Sequence, residues 1–258
     1  MIVGRRILRE KEVTSTNEVV KRFGKEGEAE GFVVVAETQA KGRGRMGRSW
    51  ASPRGGLYLS ILLRPNVQTK ELLKMTVFSC VPVAKAIEDV AGVEVTVKWP
   101  NDLEVNGKKV GGILTEGVTI GSTVRFVVLG LGINVNSKAI DIQVPEATSL
   151  SEITGKQIDK EALLGSLLKE LDAFYLDFIQ GKLKDEEYVA RSSILGKNVE
   201  AMVGEERFIG KALYVNDDGA LVLKSDEGLI LRLTWVNDTH IRLIDEAADI
   251  ENKGRDDG

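Results

Sequence analysis

Across 258 residues the chain has one cysteine and one histidine, and aromatic side chains make up only 5% of it. The lone Cys80 cannot form an internal disulfide, and nothing in the cysteine usage points to an oxidising compartment. It lies in the apolar, helical stretch 76–86, where a buried and inert thiol is expected. His240 has no Cys or His partner at metal-ligand spacing, so a structural role is expected of it. With so few aromatics, a core must rest on Val, Leu, Ile and Ala. No apolar run is long enough to span a membrane. The start, Met1-Ile2-Val3-Gly4-Arg5-Arg6, lacks the apolar segment of a signal peptide. The expected compartment is therefore the cytoplasm. Positive charge is not in excess either: the net charge is -4 and the pI about 5.4, which argues against a general nucleic-acid binder.

What is present is the composition of a globular protein, with 43% hydrophobic and 29% charged residues. Val13-Thr14-Ser15-Thr16-Asn17-Glu18 reads as a helix start capped by Ser15 or Thr14, with Val19, Val20 and Phe23 on one face. Phe32–Ala36 and Leu57–Leu63 read as buried strands, separated by a long loop from Thr38 to Gly56 that is rich in Gly, Arg and Ser. Leu72–Ala91 has helical spacing. Val93–Val97 and Leu103–Val105 are expected strands, and Asn106-Gly107 is a strong hairpin signal before a return strand at Val110–Leu114. Arg125–Val135 is β-rich. Lys160–Ile179 is amphipathic, with Leu163, Leu164, Leu167, Leu168, Leu171, Phe174, Tyr175 and Phe178 on one face, and a further helix is expected over Asp185–Ile194. From Gly196 short alternating strands predict a small antiparallel barrel. The expected organisation is a catalytic unit over 1–194, a barrel over 195–244 and a polar tail over 245–258. The fold class expected is α+β, a mixed sheet covered by helices on one side and followed by the barrel.

Several segments have the makings of a site. Gly42-Arg43-Gly44-Arg45-Met46-Gly47 matches the dinucleotide fingerprint in letters, but Arg48-Ser49-Trp50-Ala51-Ser52-Pro53 follows where a helix should begin, and no Walker A sequence occurs. The same loop gathers Arg43, Arg45, Arg48 and Arg54 among glycines beside Trp50. Guanidinium forks and exposed amides suit phosphate or carboxylate oxygens. A solvated surface loop, or an RG-rich stretch contacting RNA, would have similar composition. Lys98-Trp99-Pro100-Asn101-Asp102 holds Asn101 and Asp102 at a strand end, or simply turns a packed corner. Gly111-Gly112 within a strand weakens pairing unless something approaches closely. Gly130-Leu131-Gly132-Ile133-Asn134 raises the same question.

Taken together and in order, Ser15-Thr16-Asn17, Gln39 with Gly42 to Trp50, Lys98-Trp99-Pro100-Asn101-Asp102, Lys109-Val110-Gly111-Gly112-Ile113-Leu114 and Gly132-Ile133-Asn134 resemble a biotin protein ligase. The resemblance is specific up to about Ser149 and general beyond it. It implies a class II synthetase-like mixed sheet with a small SH3-like C-terminal barrel. It also implies an ATP-dependent reaction that makes biotinyl-5′-AMP and passes biotin to a lysine of a biotin carboxyl carrier protein or domain.

By the same resemblance Arg43, Arg45 and Lys109 are the catalytic cations. Ser15, Thr16, Asn17, Gln39, Gly42, Arg43, Lys109 and Gly112 bind biotin. Arg45, Arg48, Trp50, Asn101 and Asn134 bind ATP, with Trp50 as the adenine platform and Asp102 the candidate ligand for Mg²⁺. Some family members carry an N-terminal helix-turn-helix domain; since Ser15 already opens the biotin site, no DNA binding is expected. A homodimer formed through the sheets is expected. The neighbouring alternatives are a lipoate or octanoate ligase, a non-catalytic binding module, and a nucleic-acid regulator.

Overall fold

The computed structural model describes residues 1–142, 144–234 and 239–244, and the expected polar tail lies outside the described residues. The elements in chain order are β1 (Arg6–Val13), α1 (Thr16–Lys25), β2 (Phe32–Gln39), β3 (Leu57–Leu63), α2 (Leu72–Phe78), α3 (Cys80–Ala91), β4 (Thr96–Lys98), β5 (Asp102–Val105), β6 (Lys108–Ile120) and β7 (Thr123–Ile133). Then follow α4 (Ala139–Ile142), α5 (Leu150–Thr154), α6 (Lys160–Ile179), α7 (Glu186–Arg191) and five strands: β8 (Asn198–Val203), β9 (Glu206–Val215), β10 (Leu221–Ser225), β11 (Ile230–Leu233) and β12 (Thr239–Leu243).

Seven strands form one mixed sheet in the order β1-β2-β3-β7-β6-β5-β4. Only β1 and β2 run parallel; the remaining pairs are antiparallel. Alternation along the central strands splits the core in two. Val33, Val35, Leu59, Ile61, Val127 and Leu129 share the large core that includes the buried residues of α2, α3 and α6. Phe32, Val34, Leu62, Phe126 and Val128 pack instead with Val20 of α1. Helices therefore cover both faces, not one as the sequence suggested. A strand buried on both faces reads as a continuous apolar run, and all seven residues of β3 are buried.

The eight apolar residues expected on one face of α6 are all buried, and the Asp159 carboxylate caps the helix by accepting from the Glu161 and Ala162 amides. The helix expected over Leu72–Ala91 is broken at Ser79. Pro82 has no amide to donate back to Phe78, so the hydrogen-bond ladder cannot continue there. Cys80 opens the second half, fully buried, and burial followed by the Asp102 charge pushes its thiol far above the usual range.

The second sheet runs β11-β10-β9-β8-β12, all antiparallel, and is open, with β11 and β12 as its edges among the described residues. It is fastened to the first: the Trp99 indole Nε1 donates to the Gly219 carbonyl at 2.9 Å. No helix among the described residues is long and apolar enough to cross a membrane.

Candidate active site

A cleft of about 250 Å³ opens on the α1 face of the large sheet, where α1 stops covering it. Its back wall is the start of α1, with Ser15, Thr16 and Asn17 each buried. Ser15 stands at the cap position in extended backbone, but its side chain makes no capping bond, contrary to expectation. Gln39 takes over: its Oε1 accepts from the Thr16 amide at 2.8 Å and from Thr16 Oγ1 at 3.1 Å. Its Nε2 donates to Ser52 Oγ at 2.8 Å. Asn17 Oδ1 accepts from Ser60 Oγ at 2.6 Å, and Asn17 Nδ2 donates to Glu116 at 2.8 Å.

The cleft floor explains the glycines of β6 and β7. A β-carbon on Gly130 would lie 2.0 Å from Asn17 Oδ1, and one on Gly132 would lie 2.5 Å from Trp50 Nε1. One on Gly112 would lie 3.1 Å from Trp50 Cζ3. Gly112 and Gly132 are paired across the strands, so the indole occupies a place that two side chains would otherwise fill. Lys109 Nζ is 5.2 Å from the centre of the Trp50 ring.

The loop between β2 and β3 forms the remaining wall. It doubles back on itself, with the Trp50 amide donating to Gly42 O at 2.9 Å and the Gly44 amide to Arg48 O at 2.7 Å. Gly42 can have no side chain, since its β-carbon would stand 2.3 Å from Trp50 O. At the tip Met46 and Gly47 both take left-handed backbone. The loop's far end is tied down by Tyr58, whose hydroxyl donates to Pro53 O at 2.8 Å.

Arg43, Arg45, Arg48, Lys98 and Lys109 line the cleft, against the single carboxylate of Asp102. An acidic protein thus concentrates positive potential at one place. Lys109 Nζ sits 2.5 Å from Asp102 Oδ1. Arg45 donates to Asn101 Oδ1 at 3.4 Å, and Asn101 Nδ2 donates to Ile113 O at 2.8 Å. Arg43 pairs with Glu18 and Glu116, while the Arg48 guanidinium reaches the ring of His240. Lys98 pairs with the buried Glu104 at 3.8 Å. Burial raises the Glu104 carboxyl above its ordinary range, in spite of the opposing Lys98 charge. No group of three or more His, Cys, Asp or Glu side chains that could hold a metal ion occurs among the described residues.

Most of the residues singled out from sequence therefore converge. Three lie apart from the cleft lining: Gly42 is buried against Trp50 O, Arg54 turns outward to Glu37 at 3.8 Å, and Asn134 is buried behind the floor, donating to Thr148 O at 3.1 Å. Three contributions were not foreseen. Ser60 and Glu116 stand beneath the Asn17 side chain, and β12 brings Thr239, His240 and Ile241 to the cleft mouth. A polar residue inside an apolar strand is the signal that marks Ser60 and Glu116, because such groups are buried only with partners. His240, expected to be structural, faces the site.

Residues 10–134 match the model of the Biotin/lipoate A/B protein ligase family. The bifunctional ligase/repressor BirA of Bacillus subtilis is 35% identical over 239 residues, covering 88% of this chain and 72% of that protein. The biotin–[acetyl-CoA-carboxylase] ligase of Mycobacterium tuberculosis is 31% identical over 217 residues, covering 81% of this chain and 79% of its own. In structure the chain is similar to the biotin protein ligase of Aquifex aeolicus in complex with biotin and ATP. The TM-score is 0.79 at 31% identity, covering 93% of this chain and all of that one.

Proposed function

The chain belongs to the biotin/lipoate A/B protein ligase family, and on that premise we propose that it is a biotin protein ligase. It condenses biotin with ATP to biotinyl-5′-AMP and pyrophosphate, then transfers biotin to a lysine ε-amine of a biotin carboxyl carrier protein or domain. The observation that carries this reading is the junction of two chemistries in one cleft. A row of hydrogen-bonding groups, the buried Ser15, Thr16 and Asn17 with the half-buried Gln39, adjoins five cationic side chains.

A ureido ring needs donors and acceptors fixed in a dry pocket, and such recognition rejects an acid lacking the ring by on the order of 10⁴-fold. Attack of a carboxylate oxygen on the α-phosphorus brings like charges together, while the bond to pyrophosphate breaks. Arg43, Arg45 and Lys109 are the groups that offset that charge. In the second step the lysine amine attacks the acyl carbon, AMP leaves and the amine gives up a proton. Trp50, backed by Gly112 and Gly132, offers its outer face to adenine, with Arg48 and Asn101 beside it. Asn134, behind the floor, acts on this end through the backbone around it.

Mg²⁺ fits as an ion that arrives with the triphosphate. Sites of that kind use one or two carboxylates plus phosphate oxygens, and Asp102 is the carboxylate in the cleft. When bound it would neutralise phosphate charge.

The small sheet, open among the described residues and so not the closed barrel expected from sequence, is read as SH3-like in type, with β12 at the cleft mouth. Self-association is expected through β6: β5 pairs with it only as far as Gly112, and among the described residues no strand pairs with that side of β6 from Leu114 to Ile120. The compartment proposed is the cytoplasm.

Biotin-dependent exchange of labelled pyrophosphate into ATP tests the first step, with lipoate and octanoate as parallel substrates. Exchange with biotin alone supports the proposal. Exchange with lipoate alone moves the protein to the other branch of the family, and no exchange with any acid reduces it to a binding module.

A further inference from the structure

The loop from Arg43 to Gly47 is a wall with space on both sides. Arg43, Gly44 and Arg45 line the cleft, and the same residues line a second cavity of about 310 Å³, closed by Leu114 to Glu116 of β6. A segment with room behind it and left-handed backbone at its tip holds its place only through specific anchors. One of these is a cluster on the body of the protein. Arg43 pairs with Glu18 of α1, and its guanidinium lies 3.7 Å from Glu116 Oε1. Lys21 bridges the two carboxylates at 3.5 and 3.0 Å. Glu116 also accepts from Asn17 at 2.8 Å. Burial raises the pKa of Glu116, but the hydrogen bonds from Asn17 and Lys21 and the charges of Lys21 and Arg43 outweigh it, so the net shift is downward. The anchor is thus ionised at neutral pH.

We infer that Glu116 and Glu18 form a carboxylate latch: they are positioning residues that hold Arg43, and with it the loop, as a closed wall over the reaction intermediate. The inference rests on the ligase reading. An acyl-adenylate is a reactive anhydride, and a wall that opens lets it escape to water, where hydrolysis returns the acid and AMP. Neither carboxylate lines the cleft, so neither touches the reacting atoms. Their effect is on retention rather than on formation.

The test compares adenylate formation, read as pyrophosphate release in a single turnover, with AMP released in the absence of any carrier protein. E116Q should leave formation within about threefold and raise the leak about fivefold, the upper end for a partly exposed ion pair. E18Q, on a half-exposed side chain that poses no threat to folding, should raise it about threefold. In an Arg43→Ala background neither substitution should raise the leak further, because both act through that arginine. Additive effects in that background, or a leak unchanged in both single variants of an active enzyme, would overturn the latch and leave the ligase reading intact. Absence of biotin-dependent pyrophosphate release from the unmodified protein would remove both.

Discussion

Trp50 and Gly132 are packed so closely that the glycine's missing β-carbon is part of the site: it would fall 2.5 Å from the indole nitrogen. Gly132→Ala should therefore push the indole outward. We expect a loss of about 1–3 kcal/mol in urea unfolding, the range for overpacking a filled site. The KM for ATP should rise about tenfold, with the KM for biotin changed less. An unchanged KM for ATP would separate Trp50 from adenine binding.

Lys109 and Asp102 form the tightest ion pair on the cleft floor at 2.5 Å. Lys109→Ala should lower adenylate formation by about 10²–10³-fold, the scale for a donor at developing charge. Single-turnover measurement at saturating biotin and ATP checks this. Equal rates in variant and parent would take Lys109 out of the mechanism.

Glu104 offers a pH prediction with a definite sign. Its folded pKa is raised, by burial first, so its ionisation is less costly in the unfolded chain than in the folded one. Its contribution to stability is present below the ordinary carboxylate value and is lost as pH rises through the raised one. Glu104→Gln should thus be more stable than the parent at pH 7, and the advantage should shrink on titration toward acid. Urea unfolding across that window would show it; an advantage that grows toward acid would mean that the Lys98 pair, not burial, governs this carboxyl.

The two sheets share a hydrogen bond from Trp99 to Gly219 O, buried on the tryptophan side. Trp99→Phe keeps most of the packing and leaves that carbonyl without its donor. A loss of about 1–3 kcal/mol is expected in thermal or urea unfolding. A change within error would show that the sheets are joined by apolar contact alone.

How far the sequence disclosed this molecule depended on whether each signal was local. Helix α6 repeats its apolar face with the helical period over twenty residues and was legible residue by residue. The turn at Asn106-Gly107 was legible too, since both residues need positive φ. Strand β1, Arg6–Val13, was not, because a charged edge strand has no apolar alternation to read. The continuous run of β3 hid that two helical layers, not one, cover the sheet. In the site, loop and strand glycines announced a close approach, but not that Trp50 and Asn17 are what approaches. Arg48 and His240 meet across 192 positions of sequence, and no local pattern reports such a pairing.

The burial of Cys80 has a practical side. Reactivity of a thiol follows its thiolate fraction and its access to solvent, and Cys80 has neither. The natural chain is therefore already a blank background for thiol labelling. A single cysteine introduced at Met46, which is 55% exposed at the tip of the loop, would take up a maleimide dye by itself. Movement of the wall over the cleft could then be followed by fluorescence in otherwise unaltered protein.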